Sequence, residues 1–154
     1  MCFYKTKGSK VLIAKRDIQV YKIGTYADNS SFRPFYYDEF EYLAIQTMSE
    51  IVTFNGTVEN VLTIIERGLH SYLNCVVYPL HGRAIDLYTL GCYRYTLSFI
   101  LYPIFLGKFI IPKGATYCLN KFGEVVSDKL MYTGNYIEIQ PNTKYNTKEL
   151  WKEK

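Results

Sequence analysis

Motifs for metal, redox and nucleophilic chemistry are missing from this chain. It has two histidines and four cysteines in 154 residues. No Cys-x-x-Cys pair occurs and no histidine stands at metal-ligand spacing from a cysteine, so neither a zinc site nor a redox motif is expected. A glycine-rich phosphate loop and a Gly-x-Ser-x-Gly elbow are also missing. We therefore expect no catalytic residue, no bound metal and no cofactor.

Long apolar runs are absent as well. The longest run, over residues 97–111, is interrupted by Pro103, Gly107 and Lys108, and it is shorter than the ~20 residues of a membrane-spanning helix. The sequence contains no recognisable signal peptide, and the cysteines lie in apolar, strand-like contexts that favour buried free thiols. These features predict a cytoplasmic protein with no membrane partner.

Tyrosine is abundant, with 16 Tyr and 9 Phe beside a single Trp. A tyrosine has a flat apolar face and a polar tip, so it suits cores, interfaces and walls on which a ligand stacks. The net charge is +4, and the basic residues are scattered, with small clusters at residues 5–10 and 15–16. A scattered basic charge argues against a nucleic acid polymer as the partner.

The residue pattern predicts an α+β fold. We expect one globular domain over residues 1–140, made mainly of antiparallel sheet and meander with one or two helices, and a polar tail over 141–154. The clearest predicted helix is 57–67. The pattern over 35–47 fits a helix or a strand, and we favour the helix. Residues 24–34 are typical of a polar loop. In the tail, Leu150 and Trp151 offer a docked short helix as the alternative to fraying.

Strands are predicted over 10–23, with a break at residues 15–17, and over 71–80 and 95–101. The segment from residue 110 to 139 has the pattern of a β-meander, with turns at 112–114, 120–123 and 133–135. Consecutive strands joined by short turns predict an antiparallel sheet.

Eight residues in aromatic or basic contexts are candidates for ligand binding. Arginine offers paired donors to phosphate or carboxylate, and aromatic rings stack on planar groups. For each candidate the alternative is a structural role, in the core or on a solvated loop. The candidates are Arg33, Tyr36, His70, Tyr72, Arg83, Tyr93, Arg94 and Lys113.

Two sequence elements resemble those of small proteins from gut anaerobes and from the phages and mobile elements that infect them. The first is IERGLHSY at residues 65–72, and the second is IPKGATY at 111–117 followed by GEVVSD at 123–128. The resemblance covers mainly residues 60–132. It implies the cytoplasm of a bacterial host and carries no particular activity.

The chain also resembles ADP-ribosyltransferase-like folds, in its I-P-x-G-x-x-Y turn and in the set His70, Tyr72 and Glu124. That resemblance implies a catalytic role for Glu124. The sequence departs from the family pattern in two respects. Glu124 falls at a predicted hairpin loop, and the Ser-Thr-Ser segment is absent.

Together these features predict a non-enzymatic, phage-type binding protein that sequesters an anionic, nucleotide-derived signalling molecule as a counter-defence sponge. One alternative is a protein–protein inhibitor of a host factor, and another is an ADP-ribosyltransferase-like enzyme. The expected partner is a small anionic nucleotide-like ligand or a host protein. Assembly into a homo-oligomer stays open.

Overall fold

The computed structural model describes residues 3–4, 11–34, 42–43, 64–65, 69–80, 84–89, 94–98 and 103–151. In chain order, the elements are β1 Phe3–Tyr4, β2 Val11–Ile13, β3 Ile18–Ala27, β4 Ser31–Pro34, β5 Tyr42–Leu43, β6 Ile64–Ile65, β7 Leu69–Tyr72, β8 Cys75–Leu80, β9 Ala84–Thr89, β10 Arg94–Ser98, β11 Ile104–Ile111, β12 Thr116–Leu119, β13 Glu124–Ser127, β14 Met131–Ile139, β15 Tyr145–Asn146 and α1 Thr147–Leu150.

Antiparallel sheet makes up most of the described residues. The larger sheet has the order β14-β11-β3-β7-β13-β12-β2, with β4 beside β3 and β5 beside β4. A second sheet has the order β10-β9-β8-β15, and β1 pairs with β6. All pairings between described strands are antiparallel. The predicted fold class is confirmed: a small α+β domain dominated by antiparallel strands, with α1 as the single helix of the described segments.

One long two-stranded ribbon organises the larger sheet. In the β3–β11 ladder Ile18 faces Ile111, and in the β2–β12 ladder Ile13 faces Thr116. Ile13 and Ile18 are as far apart along one strand as Ile111 and Thr116 are along the other, so the two ladders share one register. β2 and β3 are therefore two arms of one bent strand, and β11 and β12 are the two arms of its partner.

The partner strand on the other side of β3 changes along its length. Tyr21 faces Tyr72 of β7, whereas Gly24 faces Pro34 of β4. Lys22 lies at this change, is 6% exposed, and donates from its Nζ to the main-chain oxygen of His70 at 2.6 Å. A buried polar group needs such a partner, so the lysine ammonium satisfies a carbonyl at the point where the ladder changes strands.

Both faces of the larger sheet pack against a hydrophobic core. Successive residues of a strand point to opposite faces, so neighbouring residues enter different cores. Val20 of β3 belongs to one core and the neighbouring Tyr21 to the other. The first core is aromatic, with ring centroids between 4.9 and 5.4 Å apart. Its fully buried rings are Phe32, Tyr42, Phe109 and Tyr132. β4 and β5 also contact β14, so the sheet curls around this core.

The C-terminal segment packs onto the second core. β15 pairs with β8, and the ring of Trp151 stacks on Tyr21 at 5.4 Å with an interplanar angle of 19°. The buried hydroxyl of Thr147 accepts the N–H of Cys75 at 3.0 Å. Asn146 caps α1 by accepting the N–H of Lys148. Within the predicted polar tail, the docked alternative is therefore the one observed.

The helices predicted over 57–67 and 35–47 are wrong where the structure describes those segments. Ile64 and Ile65 pair with β1, and the remainder of 57–67 lies outside the described residues. Tyr42 and Leu43 pair with β4. β-branched side chains favour strands, and burial of Tyr42 against Phe109 favours the strand as well.

The predicted polar loop over 24–34 is also wrong, because β3 continues to Ala27 and β4 begins at Ser31. The turn is confined to residues 28–30, where the Asp28 carboxylate accepts the main-chain N–H groups of Ser30 and Ser31 at 2.8 Å. Local side-chain bonds of this kind stabilise a tight turn. They allow the hairpin to be longer than its polar composition suggests.

Other predicted segments differ in their connections. Residues 71–80 form two strands, β7 and β8, in different sheets. The predicted meander is limited to the β12–β13 hairpin, because β14 returns to pair with β11. Residues 133–135, predicted as a turn, form a bulge inside β14 opposite Lys108. Thr133 anchors the bulge by donating to the Lys108 carbonyl at 2.7 Å.

The strands predicted over 10–23, the break between them, and the hairpin turn predicted at 120–123 are confirmed.

The packing predicts that Gly107 cannot accept a side chain. A Cβ on Gly107 would lie 2.5 Å from Cε2 of Phe32. Gly107→Ala should therefore displace the Phe32 ring and lower the free energy of unfolding by about 1–3 kcal/mol, the usual cost of overpacking a core. Urea denaturation followed by circular dichroism measures this loss.

A double-mutant cycle supplies the control, since interacting residues show non-additive effects. In a Phe32→Leu background the smaller side chain leaves room for the new methyl group, so Gly107→Ala should lower stability by less. An equal loss in both backgrounds would show that the Phe32 ring is not the obstacle.

Candidate functional site

The side chains of four predicted site residues are described. Arg33 and Lys113 are exposed, whereas His70 and Tyr72 are each 5% exposed. For Arg94 only the backbone is described. The three that lie outside the described residues are Tyr36, Arg83 and Tyr93.

The two exposed candidates lie near opposite ends of β3. Arg33 faces Tyr26 near the end of that strand, and Lys113 donates its main-chain N–H to the Asp17 carboxylate just before the strand begins, at 2.9 Å. From Asp17 to Tyr26 an extended chain covers roughly 30 Å. Arg33 and Lys113 therefore belong to separate surfaces and do not line one small-molecule site.

Lys113 lies where the long ribbon bends, at residues 14–17 and 112–115, which we call the ribbon corner. Ala14 donates to the Ala115 carbonyl and accepts from Gly114, both at 2.8 Å. Gly114 has a φ of +91°, a conformation that favours glycine. With the Asp17 carboxylate holding Lys113, these bonds fix two tight turns side by side.

A pocket of about 330 Å³ opens at the ribbon corner. Among the described residues it is lined by Arg16, Asp17, Ile18 and Gln19. Lys15, Arg16 and Lys113 are exposed, so the ribbon corner carries three positive charges and the one carboxylate of Asp17. Within the described ranges no ion pair engages these three cations. The volume is at the lower end of the range for small-molecule pockets.

The structure brings together the three residues of the enzyme alternative. Tyr72 of β7 faces Glu124 of β13 directly, and His70 lies two residues along on the same side of the sheet. All three are buried, with Glu124 only 3% exposed. Lys22 and Ser71 lie on the opposite face, and the buried Ser71 Oγ has no hydrogen-bond partner among the described residues.

Glu124 is bound by its own hairpin. Asn120 donates from Nδ2 to Oε1 of Glu124 at 2.9 Å, and its Oδ1 accepts the main-chain N–H groups of Phe122 and Glu124. Burial raises the pKa of Glu124 above its ordinary value of 4.5, and the Asn120 amide opposes that shift. These contacts give Glu124 a structural role in closing the β12–β13 hairpin.

The opposite end of β3 has an aromatic surface, the Tyr26–Arg33 platform, made of Tyr26, Arg33, Phe105 and Tyr136. The guanidinium carbon of Arg33 lies 5.9 Å from the centroid of the Tyr26 ring. Phe105 lies 6.4 Å from Tyr26 and 6.1 Å from Tyr136. Because Tyr26 is 43% exposed, the platform faces solvent.

The described residues contain no group of three or more His, Cys, Asp or Glu side chains able to hold a metal ion. Cys75 and Cys118 are buried free thiols, as predicted. Burial raises the pKa of Cys75 to about 12, so this thiol is uncharged at neutral pH and unreactive. No helix in the described segments has the length and apolarity needed to cross a membrane.

Comparison with known proteins leaves the residues themselves as the evidence for function. No protein-family model, no curated protein and no solved structure matches the chain.

Sequence reasoning missed Asp17, Tyr26 and Lys22. Asp17 was visible as the end of the Lys-Arg-Asp break between two strand patterns, where an acidic side chain suits a turn. The polar composition of residues 24–34 predicts a loop, so it does not indicate that Tyr26 pairs with Arg33 across two strands. No local signal marks Lys22 as buried, because its partner carbonyl is distant in the chain.

The raised pKa of Glu124 predicts how stability changes with pH. Between the unfolded pKa and the raised folded pKa, the folded state binds more protons than the unfolded state. The stabilisation that protonated Glu124 gives is present below the unfolded pKa and is lost as the pH rises through the folded pKa. Glu124→Gln keeps the acceptor for Asn120 and cannot ionise. Its free energy of unfolding should therefore rise relative to that of the wild type as the pH rises from about 4 to about 7.

Urea denaturation across that pH range measures the difference. A deficit in Glu124→Gln that does not change with pH would contradict a buried, proton-linked carboxyl group. Nicotinamide release from NAD that occurs in the wild type and is lost in Glu124→Gln would instead support the enzyme alternative.

Proposed function

We propose that this protein is a non-enzymatic binding protein that sequesters a small phosphate-bearing molecule, of the class of nucleotide-derived signalling molecules, at the ribbon corner. One observation carries the proposal. At the bend in the ribbon, the described residues that line a pocket of about 330 Å³ are Arg16, Asp17, Ile18 and Gln19, and the exposed Lys15 and Lys113 belong to the same corner. The phage-type, counter-defence role is the biological setting that we propose for this binding.

The chemistry of the corner suits an oxyanion. Arg16 offers a planar fork of N–H donors that matches phosphate or carboxylate, and the two lysines supply further charge. Asp17, the acidic residue of the pocket, already accepts the Lys113 main-chain N–H. Ile18 gives the wall an apolar surface, and Gln19 gives it an amide, as small-molecule pockets commonly require.

Binding without turnover is favoured by what surrounds the pocket. Arg16, Asp17 and Gln19 offer charge and hydrogen bonds to a bound ligand. The buried polar residues His70, Tyr72 and Glu124 lie on β7 and β13, not at the corner. The proposal therefore assigns the corner a binding role alone.

An inhibitor of a host protein is the second candidate, and the edge strand β2 favours it. β2 pairs only with β12 among the described strands. Two large apolar side chains are exposed there, Leu12 at 43% and Ile13 at 67%. Exposed strand edges pair readily with an extended segment of another protein. Capture of a host protein by the wild type that Ile13→Lys abolishes would support this candidate.

The corner proposal predicts that phosphate-bearing ligands stabilise the protein through Arg16. Thermal denaturation would be measured with pyrophosphate, NAD, ADP-ribose and cyclic di- and trinucleotides. A ligand at a hundred times its dissociation constant should add about 2.7 kcal/mol of stability. Arg16→Gln should weaken binding about tenfold or more, because it removes a charge-assisted hydrogen bond. The recovered ligand should be chemically unchanged.

Arg33→Gln is the matched control with pyrophosphate, a probe that has no ring to stack: it removes another exposed arginine, at the other end of β3, and should leave pyrophosphate binding unchanged. Pyrophosphate binding that is equally strong in Arg16→Gln and the wild type would overturn the assignment to the corner. Stabilisation by none of these ligands would overturn the proposed ligand class, and a consumed ligand would overturn the non-enzymatic role.

A further inference from the structure

The Tyr26–Arg33 platform is held rigid by the turn between β3 and β4. The Tyr26 hydroxyl donates to Oδ2 of Asp28 at 2.6 Å. Asp28 also accepts the main-chain N–H groups of Ser30 and Ser31 through Oδ1. The Tyr26 hydroxyl, followed by these N–H groups, lowers the pKa of Asp28 to about 2. The carboxylate is therefore ionised at neutral pH and anchors the tyrosine ring.

The strand register directs the platform outward. Ala27 and Phe32 face each other and are buried in the aromatic core. Tyr26 and Arg33 are the next pair along the same ladder, and the alternation of side chains turns this pair to the opposite side. Arg33 and Tyr26 are both exposed, so the backbone that buries Phe32 also presents the pair to solvent.

Arg33 has binding capacity that the described structure leaves unused. One side of its guanidinium lies over the Tyr26 ring. Among the described residues no acceptor takes its N–H groups. A guanidinium held over an aromatic ring can still stack a planar group on its outer face, and its edge can donate to acceptors on that group.

The charge around the platform argues for an uncharged ligand. Asp28 lies beside Tyr26, and the exposed Glu138 faces Phe105 across the β11–β14 ladder. These two carboxylates outweigh the single charge of Arg33, so the platform does not attract an anion, whereas the ribbon corner has three cations and one carboxylate. A ligand that binds here must gain its affinity from stacking and hydrogen bonds, not from net charge.

We propose that Tyr26 and Arg33 form a second binding site, separate from the ribbon corner, for an uncharged planar heteroaromatic ring of the nucleobase class. The ring stacks on the outer face of the Arg33 guanidinium, and the N–H groups of Arg33 donate to its ring nitrogen or carbonyl acceptors. The site stands independently of the corner, because roughly 30 Å of strand separates the two.

Titration of the ¹⁵N-labelled full chain with adenosine, followed by NMR, tests the site with an uncharged probe. Saturable shifts should appear at the amides of Tyr26 and Arg33. The dissociation constant should rise about tenfold or more in Arg33→Gln and in Tyr26→Leu, as loss of a stacking partner does elsewhere. Tyr26→Phe keeps the ring but loses the Asp28 anchor, so binding should fall by less than in Tyr26→Leu.

Arg16→Gln is the matched control and should bind adenosine like the wild type, whatever happens to phosphate binding at the corner. Because both substituted positions are exposed, the variants should keep the dispersed amide spectrum of the folded wild type. Shifts that do not saturate would overturn the proposal. Saturable shifts of unchanged affinity in both Arg33→Gln and Tyr26→Leu would overturn it as well.

Discussion

The continuous register of the bent ribbon is the constraint on which the larger sheet depends. Ile18 faces Ile111 in one arm and Ile13 faces Thr116 in the other, so the turns between them must bend together. The Asp17 carboxylate and the Ala14 main-chain bonds hold that bend. β7 and β4 both pair with β3, and β13 pairs with β12. The ribbon therefore determines where these neighbouring strands lie.

The same ribbon decides which aromatic residues pack and which remain available. Side chains on one face of β3 and β11 join the aromatic core around Phe109, and those on the other face join Tyr21 and Trp151. Gly24 and Gly107 leave space that the Phe32 ring fills. Tyr26 is directed outward by the strand register, and Asp28 holds it there. Among the tyrosines whose side chains the structure describes, most therefore serve packing, and Tyr26 faces solvent.

Local pattern was enough to predict the class of fold, the β2 and β3 strands with their break, and the 120–123 hairpin turn. These features depend on alternation and on turn residues close in the chain. The helix at 57–67 was wrong at Ile64 and Ile65, because pairing with residues 3–4 is a long-range interaction that periodicity does not report. Pairing of β14 with β11 rather than β13 is long-range in the same sense.

The locations of the candidate site residues depend on strand boundaries that the sequence does not show. Arg33 and Lys113 are both exposed. Their separation along β3 could not be predicted without the strand boundaries, since residues 24–34 had the composition of a loop. Tyr72 lies in the second core because β7 is covered on both faces. Burial of that kind depends on which strands flank β7, and no motif within residues 65–72 specifies them.

Inter-strand nuclear Overhauser effects measured on the full chain test the bent ribbon most directly. In one protein under one condition, backbone cross-peaks should link Ile18 with Ile111, Ala14 with Ala115, and Ile13 with Thr116. Cross-peaks on only one side of the corner, or a shift of register between the two arms, would contradict the bent ribbon. The two ends of β3 would then no longer be positioned by a single ribbon.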